Sequence, residues 1–255
     1  MSELAALIWD VDGTLADTER DGHRVAFNNA FSQAGLDWHW DVELYGQLLK
    51  VTGGKERIRY YLDEFNTAWE RPANLDRFVA ELHRQKSEFF VSLMEEGRIP
   101  PRPGVIRLIQ EAADAGIRLA IATTTTPANV DALLNRFFGP QGDHPFELIA
   151  AGDVVPAKKP APDIYRWALE KMQLSPDDCA AIEDSRNGLL AAQSAGITTV
   201  VVTVNGYTDN EIFTDASLIV DQLGEPESPL QVLGGAESHA TMVDLGLLRR
   251  LHALS

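Results

Sequence analysis

Short apolar runs alternate with amphipathic stretches along most of this chain, and the alternation is interrupted once. Residues 4–9 form a compact apolar run that stops abruptly at Asp10-Val11-Asp12-Gly13-Thr14, the pattern of a buried strand feeding a loop. From about 17 to 96 strand-like runs vanish. Apolar residues there recur at helical spacing, as in Val25, Phe27, Ala30, Phe31 and later Phe78, Val79, Leu82, Phe89, Phe90, which predicts an all-helical segment. Residues 97–104, with two glycines and three prolines, then break the chain as a linker would. Beyond it strands are predicted at 118–123, 146–150, 179–182, 198–204 and 217–220, and helices at 105–115, 127–138, 162–172, 189–195 and 243–253. Gly116 and Gly196 stand where helices stop, and Pro127 fits a first helical turn. No element is predicted across 224–241, a stretch rich in Gly, Ser and Glu.

Helices alternating with strands predict an α/β fold, a parallel sheet covered by helices on both faces with ligands at the carboxyl ends of the strands. The first strand is separated from the others by the helical segment, so that segment is an insert. The expected division is a catalytic core of residues 1–16 and 97–255 and a helical cap of residues 17–96 serving as a lid.

Composition narrows the partners. The 255 residues are 45% hydrophobic and 24% charged, ordinary globular usage with enough apolar material for a real core. Asp plus Glu number 38 against 22 Lys plus Arg, a formal charge of -16. That field repels phosphate backbones and anionic lipid, so no nucleic-acid or membrane partner is expected. It equally repels a phosphorylated small molecule unless a metal ion and a few placed cations reverse the sign locally. The single Cys179 excludes an internal disulfide and points to a reducing compartment. The opening Met1-Ser2-Glu3 has no signal-peptide character, and no apolar run reaches the roughly 20 residues of a membrane span. A cytoplasmic protein is expected, with a monomer as the working expectation.

In a parallel sheet the loops after the strands share one edge, and there the chain places its chemistry. Asp10 and Asp12 follow the first strand, Thr123 to Thr126 the second, Lys158-Lys159-Pro160 the third and Glu183-Asp184-Ser185 the fourth. Asp10 and Asp12 raise one another's pKa unless a cation stands between them, and Glu183 and Asp184 would add oxygen ligands from a neighbouring strand end. Mg2+ is the natural candidate. Asp-Gly also marks ordinary turns, so for this pair alone the structural alternative stays open. Thr123, with Thr124 beside it, precedes a helix start that can bind an anion, whereas Thr125 and Thr126 suit ordinary capping. Lys159 would neutralise a phosphate oxygen or else be a solvated loop lysine. Ser185 and Asn187 suit capping of the following helix.

These four segments in order, Asp10-Val11-Asp12-Gly13-Thr14, Thr123, Lys159-Pro160-Ala161-Pro162-Asp163 and Ile182-Glu183-Asp184-Ser185, resemble the motifs of the haloacid dehalogenase-like phosphatases. The resemblance spans nearly the whole chain. It implies a Rossmann-like core with a helical cap inserted after the first motif, Mg2+ and an aspartyl-phosphate intermediate. It implies Asp10 as nucleophile and metal ligand, and Asp12 as general acid and base with its carbonyl on the metal. Thr123 and Lys159 would hold phosphate, Asp184 would bind the metal, and Glu183 would be a ligand or stand just behind one. Where the motif usually has glycine before its lysine, this chain has Lys158. Asp12 favours phosphoryl transfer over dehalogenation, and protonating the leaving alcohol would require its pKa to be raised.

The cap supplies the expected substrate contacts, Glu19 and His23 from its first helix and Gly53, Gly54, Lys55 and Arg59 from a glycine turn entering a basic helix. Lys55 and Arg59 share one face, which leaves Arg57 as the solvated member of the trio. His23 is equally a packed helix histidine. Trp38, Trp40, Tyr60 and Tyr61 are expected in the cap core. These cap segments resemble a Calvin-cycle subgroup that removes the 1-phosphate of xylulose 1,5-bisphosphate, an inhibitor of Rubisco, so a small phosphorylated sugar is the implied partner. The alternatives are a β-phosphoglucomutase-like mutase and, less in keeping with a lid-sized insert, a non-enzymatic receiver-like module phosphorylated on Asp10.

Overall fold

Seven strands form one sheet in the order β3-β2-β1-β4-β5-β6-β7. They are β1 (Ala6–Trp9), β2 (Arg118–Ala122), β3 (Leu148–Ala150), β4 (Cys179–Glu183), β5 (Thr199–Thr203), β6 (Leu218–Val220) and β7 (Val232–Gly235). The structure is a computed structural model and describes residues 3–140, 142–237 and 239–254. β1 to β6 are parallel, and only β7 runs antiparallel to its neighbour. β1, β4 and β5 are buried throughout, which is why their sequences read as unbroken apolar runs. Successive residues serve opposite faces. Leu7, Trp9, Leu119, Ile121, Ala180 and Ile182 pack under α5 (Val105–Asp114), α6 (Pro127–Phe138) and α9 (Leu245–Leu254). Ala6, Ile8, Ala120, Ala181, Val200 and Val202 pack under α7 (Asp163–Met172) and α8 (Arg186–Ser194).

The chain steps from β1 through β2 to β3 on one side, then returns to place β4 on the other. That reversal opens a crevice at the carboxyl ends of β1 and β4, the usual ligand position in such sheets.

Between β1 and α5 lie α1 (Arg24–Gln33), α2 (Val42–Leu48), α3 (Gly54–Glu64) and α4 (Leu75–Glu95), with a π-type turn over Glu19–His23 running straight into α1. They enclose an aromatic core of their own, in which Phe27, Phe31, Trp38, Trp40, Tyr45 and Tyr61 are buried. Tyr60 only packs against its edge. α4 belongs to both cores: Val79 and Leu82 pack among the cap aromatics, while Phe90 and Met94 join the sheet-side cluster with Val130 of α6. The two connecting segments pair with each other at Ala16 and Pro101, and the Arg102 N–H donates to Leu15 O at 2.9 Å. The buried Arg102 guanidinium donates to the carbonyls of Gly13, Thr203, Val204 and Asp221.

The stretch 224–241 is not simply a loop, because it contains β7, which makes the sheet mostly rather than wholly parallel. Its Val-Leu-Gly-Gly sequence offers little strand propensity. The strand is held by pairing with β6, and at Gly235 (φ +101°) a Cβ would press on the Ser217 carbonyl.

Candidate active site

Register brings the motif residues together. Trp9 pairs with Ile182, so the chain leaves β1 and β4 side by side, and the Asp10 N–H donates to Ile182 O at 3.0 Å. Carboxylate oxygens of Asp10, Glu183 and Asp184 lie within 4.8 Å of one another, all buried. Lys159 Nζ bridges Asp10 Oδ1 at 2.7 Å and Glu183 Oε1 at 2.6 Å. The Tyr165 hydroxyl donates to the same Glu183 oxygen at 2.5 Å, with its ring beneath the ammonium. Burial pushes the Asp10 carboxyl up to about 8 even though Lys159 pulls it down. Asp184 is driven well above the ordinary range by burial and then by the charges of Asp10 and Glu183. Burial disfavours the Lys159 ammonium, but its two carboxylate partners outweigh that and hold its pKa above the usual lysine value.

The donor set fits a hard divalent cation. Three clustered carboxylates offer only oxygen, and Glu183 Oε2 is buried without a hydrogen-bond partner among the described residues. Glycines leave room for these groups: a Cβ on Gly13 would overlap Asp184, and one on Gly188 would overlap Glu183. Glu183 is therefore tied to Lys159 through one oxygen while the other is free to meet a cation.

Asp12 departs from expectation. Its side chain turns towards the cap, where Oδ1 accepts from Thr18 Oγ1 at 2.6 Å and from His23 Nε2 at 2.7 Å. Burial alone would raise its pKa, but His23 and the Thr18 hydrogen bond overcome burial and set it well below the usual carboxylate range. The raised value that donation to a leaving alcohol would require is thus opposite to what this arrangement imposes. His23, 3% exposed, is more than a packed helix residue, because the Lys86 ammonium lies 2.8 Å from its Nδ1. Burial brings Lys86 down to about 8, against the pull of Asp12 and Glu19.

Thr123 is buried at the end of β2, and its Oγ1 accepts from the Thr125 N–H at 3.3 Å. The expected caps at Thr125 and Thr126 do not form: Thr126 leaves its hydroxyl unpartnered at the start of α6, and Thr125 accepts from Asn129. Ser185 does cap α8 through the Gly188 N–H, whereas Asn187 reaches across to Thr52 of the cap at 3.4 Å.

Two adjoining cavities open between sheet edge and cap. One of about 320 Å³ is lined by Asp10, Asp12, Thr123, Lys159 and Asp184 from the core and by Thr52 and Arg57 from the cap. The other, about 390 Å³, is lined by His23, Gly53, Gly54, Lys55, His83, Lys86 and Lys158. Glu19, Arg57, Asp12 and Thr124 border both. The basic trio of α3 is arranged opposite to expectation. Arg57 is buried, donating to the Tyr45 hydroxyl at 2.6 Å and lying 3.3 Å from Glu19, to which Tyr45 also donates. Arg59 instead pairs outward with Asp76 at 2.9 Å and lines neither cavity. Lys55 reaches Asp153 at 3.6 Å and remains half exposed. The reason is helix phase: Arg57 falls in the stripe with Ile58, Tyr61 and Leu62 that faces the interior. Lys158, in the motif's glycine position, pairs with Asp153 at 3.1 Å. Burial and then the neighbouring basic groups, Lys86 and Lys55 foremost, drive the His83 pKa down to about 3.

Tyr45, His83, Lys86, Tyr165 and Asn205 escaped the sequence reading. For Lys86 a signal existed: it continues the Val79, Leu82, Phe90 stripe of α4, a lysine in an apolar position.

A two-layered site of this kind, with a carboxylate cluster and lysine on the sheet edge beneath a helical cap, defines a class, and comparison with known proteins agrees. The haloacid dehalogenase-like hydrolase family model matches residues 4–196, and the chain belongs to that family. Among curated relatives, the plasmid-encoded protein CbbY of Cupriavidus necator is 46% identical over 251 residues, covering 98% of this chain and 97% of the relative. Protein CbbY of Cereibacter sphaeroides is 49% identical over 222 residues, 87% and 94% of the two chains. A crystal structure of a CbbY variant from Rhodobacter sphaeroides in complex with xylulose-(1,5)bisphosphate matches with a TM-score of 0.79 and 48% identity, covering 86% of this chain and 94% of that one.

Proposed function

We propose that this hydrolase is a Mg2+-dependent sugar-phosphate phosphatase that converts xylulose 1,5-bisphosphate to xylulose 5-phosphate and inorganic phosphate through an aspartyl phosphate on Asp10. The observation that carries this reading is the Asp10–Lys159–Glu183–Asp184 cluster at one cavity and, adjoining it, a second cavity that bears the cations Lys55, Arg57, Lys86 and Lys158 among its lining residues. It is supported by the CbbY variant solved with that sugar bisphosphate. Residues 1–16 and 97–255 act as the catalytic core and 17–96 as the lid. No described helix is long and apolar enough to cross a membrane, in keeping with a cytoplasmic enzyme. By resemblance, the activity protects Rubisco from an inhibitory by-product.

Asp10 is the nucleophile. Its approach to a phosphate dianion sets like charges together, and Lys159, 2.7 Å from Asp10 Oδ1, offsets part of that repulsion. Asp10, Asp184 and Glu183 Oε2, with the Asp12 carbonyl as implied by the family motif, would hold Mg2+, which supplies charge neutralisation at the transferring phosphoryl group. Thr123 and Thr124 receive phosphoryl oxygens. Asp12 must gain a proton before it can give one to the leaving alcohol. His23 Nε2–H is placed to supply it, with Lys86 behind Nδ1 to restore the histidine. Asp12 then accepts a proton from the water that splits the aspartyl phosphate and returns it through His23 to Lys86, so that the relay ends each turnover as it began. Arg57 replaces Arg59 as the cap cation best placed for the second phosphate, with Lys55 and Lys158 at the rim beside Gly53 and Gly54. Glu19 and His83 face the sugar. Gly54 allows close approach, since a Cβ there would press on His83 at 2.5 Å.

Phosphate release from xylulose 1,5-bisphosphate and from β-glucose 1-phosphate, with Mg2+ or with EDTA, tests the proposal. Strong Mg2+-dependent release from the bisphosphate is expected. Conversion of the second compound to glucose 6-phosphate without release would replace the phosphatase by a mutase, and no turnover of either would overturn the substrate.

A further inference from the structure

The turn that follows β5 has no part in the steps above, yet it touches both halves of the site. Asn205 Oδ1 accepts the Tyr207 N–H at 2.9 Å, and the Asn205 N–H donates to Thr208 Oγ1 at 3.0 Å. With Oδ1 so engaged, the amide can only present Nδ2 to Asp184, and it does, 2.6 Å from Oδ2. Gly13 closes over this pair, since a Cβ there would stand 2.6 Å from Asn205 Nδ2.

Two residues on, Tyr207 meets the cap. Its ring centre lies 5.9 Å from that of Tyr45, and a Cβ on Gly46 would come within 3.2 Å of its ring. Tyr45 is the residue tied to Glu19 and Arg57 on the cavity wall. The Tyr207 hydroxyl is buried at this contact without a hydrogen-bond partner among the described residues. A buried hydroxyl without a partner is unfavourable, and water would satisfy it once the cap lifted away.

We propose that Asn205 and Tyr207 form one positioning unit that couples seating of the cap to the setting of Asp184, so that Tyr207→Ala, which unseats the cap, also weakens Mg2+ binding about threefold through Asn205. Asn205 fixes the Asp184 carboxylate for the cation, Tyr207 is the wedge on which α2 docks, and the unpartnered hydroxyl holds the docked state short of maximal stability so that product can leave. This rests on Asp184 being a cation ligand.

Four variants test it: Asn205→Ala, Tyr207→Phe, Tyr207→Ala and the double alanine variant. Calorimetric titration of the substrate-free protein with Mg2+ should show affinity about tenfold weaker in N205A, with KM for the sugar bisphosphate near wild type. Y207F should lower KM about fivefold, because it removes an unpaired polar group and no contact, and should tighten rather than weaken Mg2+ binding. Y207A should raise KM instead. In kcat/KM the double variant should lose much less than the product of the two single losses. Mg2+ binding by N205A equal to wild type, a raised KM in Y207F, or multiplicative losses would each overturn the proposal. A wild-type protein that binds no Mg2+ would instead sink the cation site itself.

Discussion

The sheet edge and the cap contribute residues to the same pair of cavities by different physical means. Asp10, Thr123, Lys159, Glu183 and Asp184 leave consecutive strands or the loops just after them. Parallel register alone sets Asp10 beside Glu183. Glu19, His23, Arg57 and Lys86 come instead from helices, where facing the cavity depends on rotation about an axis and on what the opposite face buries. A shift of two positions exchanges a buried arginine for a solvated one, as Arg57 and Arg59 show. Edge chemistry therefore tolerates crude reading of the chain, while cap chemistry requires the packing to be known.

The sharpest test of the edge is Asp10→Asn. Loss of the proposed nucleophile should reduce kcat by about 10⁴-fold or more in phosphate-release assays. Because burial holds the Asp10 carboxyl up near 8, its ionised form is unfavourable at neutral pH without a cation. The variant should then melt at or above wild type in EDTA. Substantial turnover by D10N would remove Asp10 from the chemistry and with it the premise that the edge supplies the nucleophile.

The same contrast explains what the chain disclosed. Among the described residues, six of the seven strands and the five helices of the core are legible in the pattern, because buried parallel strands carry apolar runs and most of these helices end at Gly. The four cap helices are legible only as one undivided helical segment. β7 was hidden, since Val232–Gly235 is half-exposed and owes its form to β6 rather than to propensity. Asn205 was hidden for another reason: the motif residues follow β1 to β4, whereas the loop after β5 carries no motif and yet reaches the same edge. In the cap, the five-residue turn Glu19–His23 shifts the helical phase just where Glu19 and His23 must face inward. Asp12 was legible as a residue but not as a state. Its partners His23 and Thr18 lie 11 and 6 positions along the chain, and no spacing rule announces them.

Within the cap, Arg57→Met and Arg59→Met set the two phases of α3 against each other. Arg57 lies between both cavities, so its loss should raise KM for a sugar bisphosphate by about 10- to 100-fold. KM for a monophosphate should move much less. Arg59 pairs only with the exposed Asp76, and its loss should change either KM by no more than about twofold. R57M also strands Glu19, so its melting temperature will fall, and the ratio of the two KM values is the readout that a loss of folded protein leaves unchanged. A larger effect from Arg59 would mean that the cap presents its other face to the substrate.

Lys86→Met produces the smallest effect and the most specific one. Lys86 is 4% exposed, flanked by the rings of Phe27 and Phe90, and burial lowers it from 10.5 to about 8. A lysine whose folded-state pKa lies below its unfolded value destabilises the fold. The penalty is complete below pH 8 and is relieved as pH rises from about 8 to 10.5. The shift alone corresponds to roughly 3 kcal/mol. Loss of the His23 hydrogen bond and of two cation–π contacts takes back part of it, leaving roughly 1 kcal/mol in favour of methionine. K86M should therefore melt about 2–4 °C above wild type at pH 7. The gap should close, then reverse, as the pH approaches 10, where wild-type Lys86 is neutral, no longer carries the penalty and keeps its hydrogen bond to His23. Over the same range kcat should be depressed, because His23 has lost the group that restores its proton. Equal melting curves at pH 7 with full activity would show that Lys86 is neither strained nor used, and the cap would then differ from the edge in geometry alone.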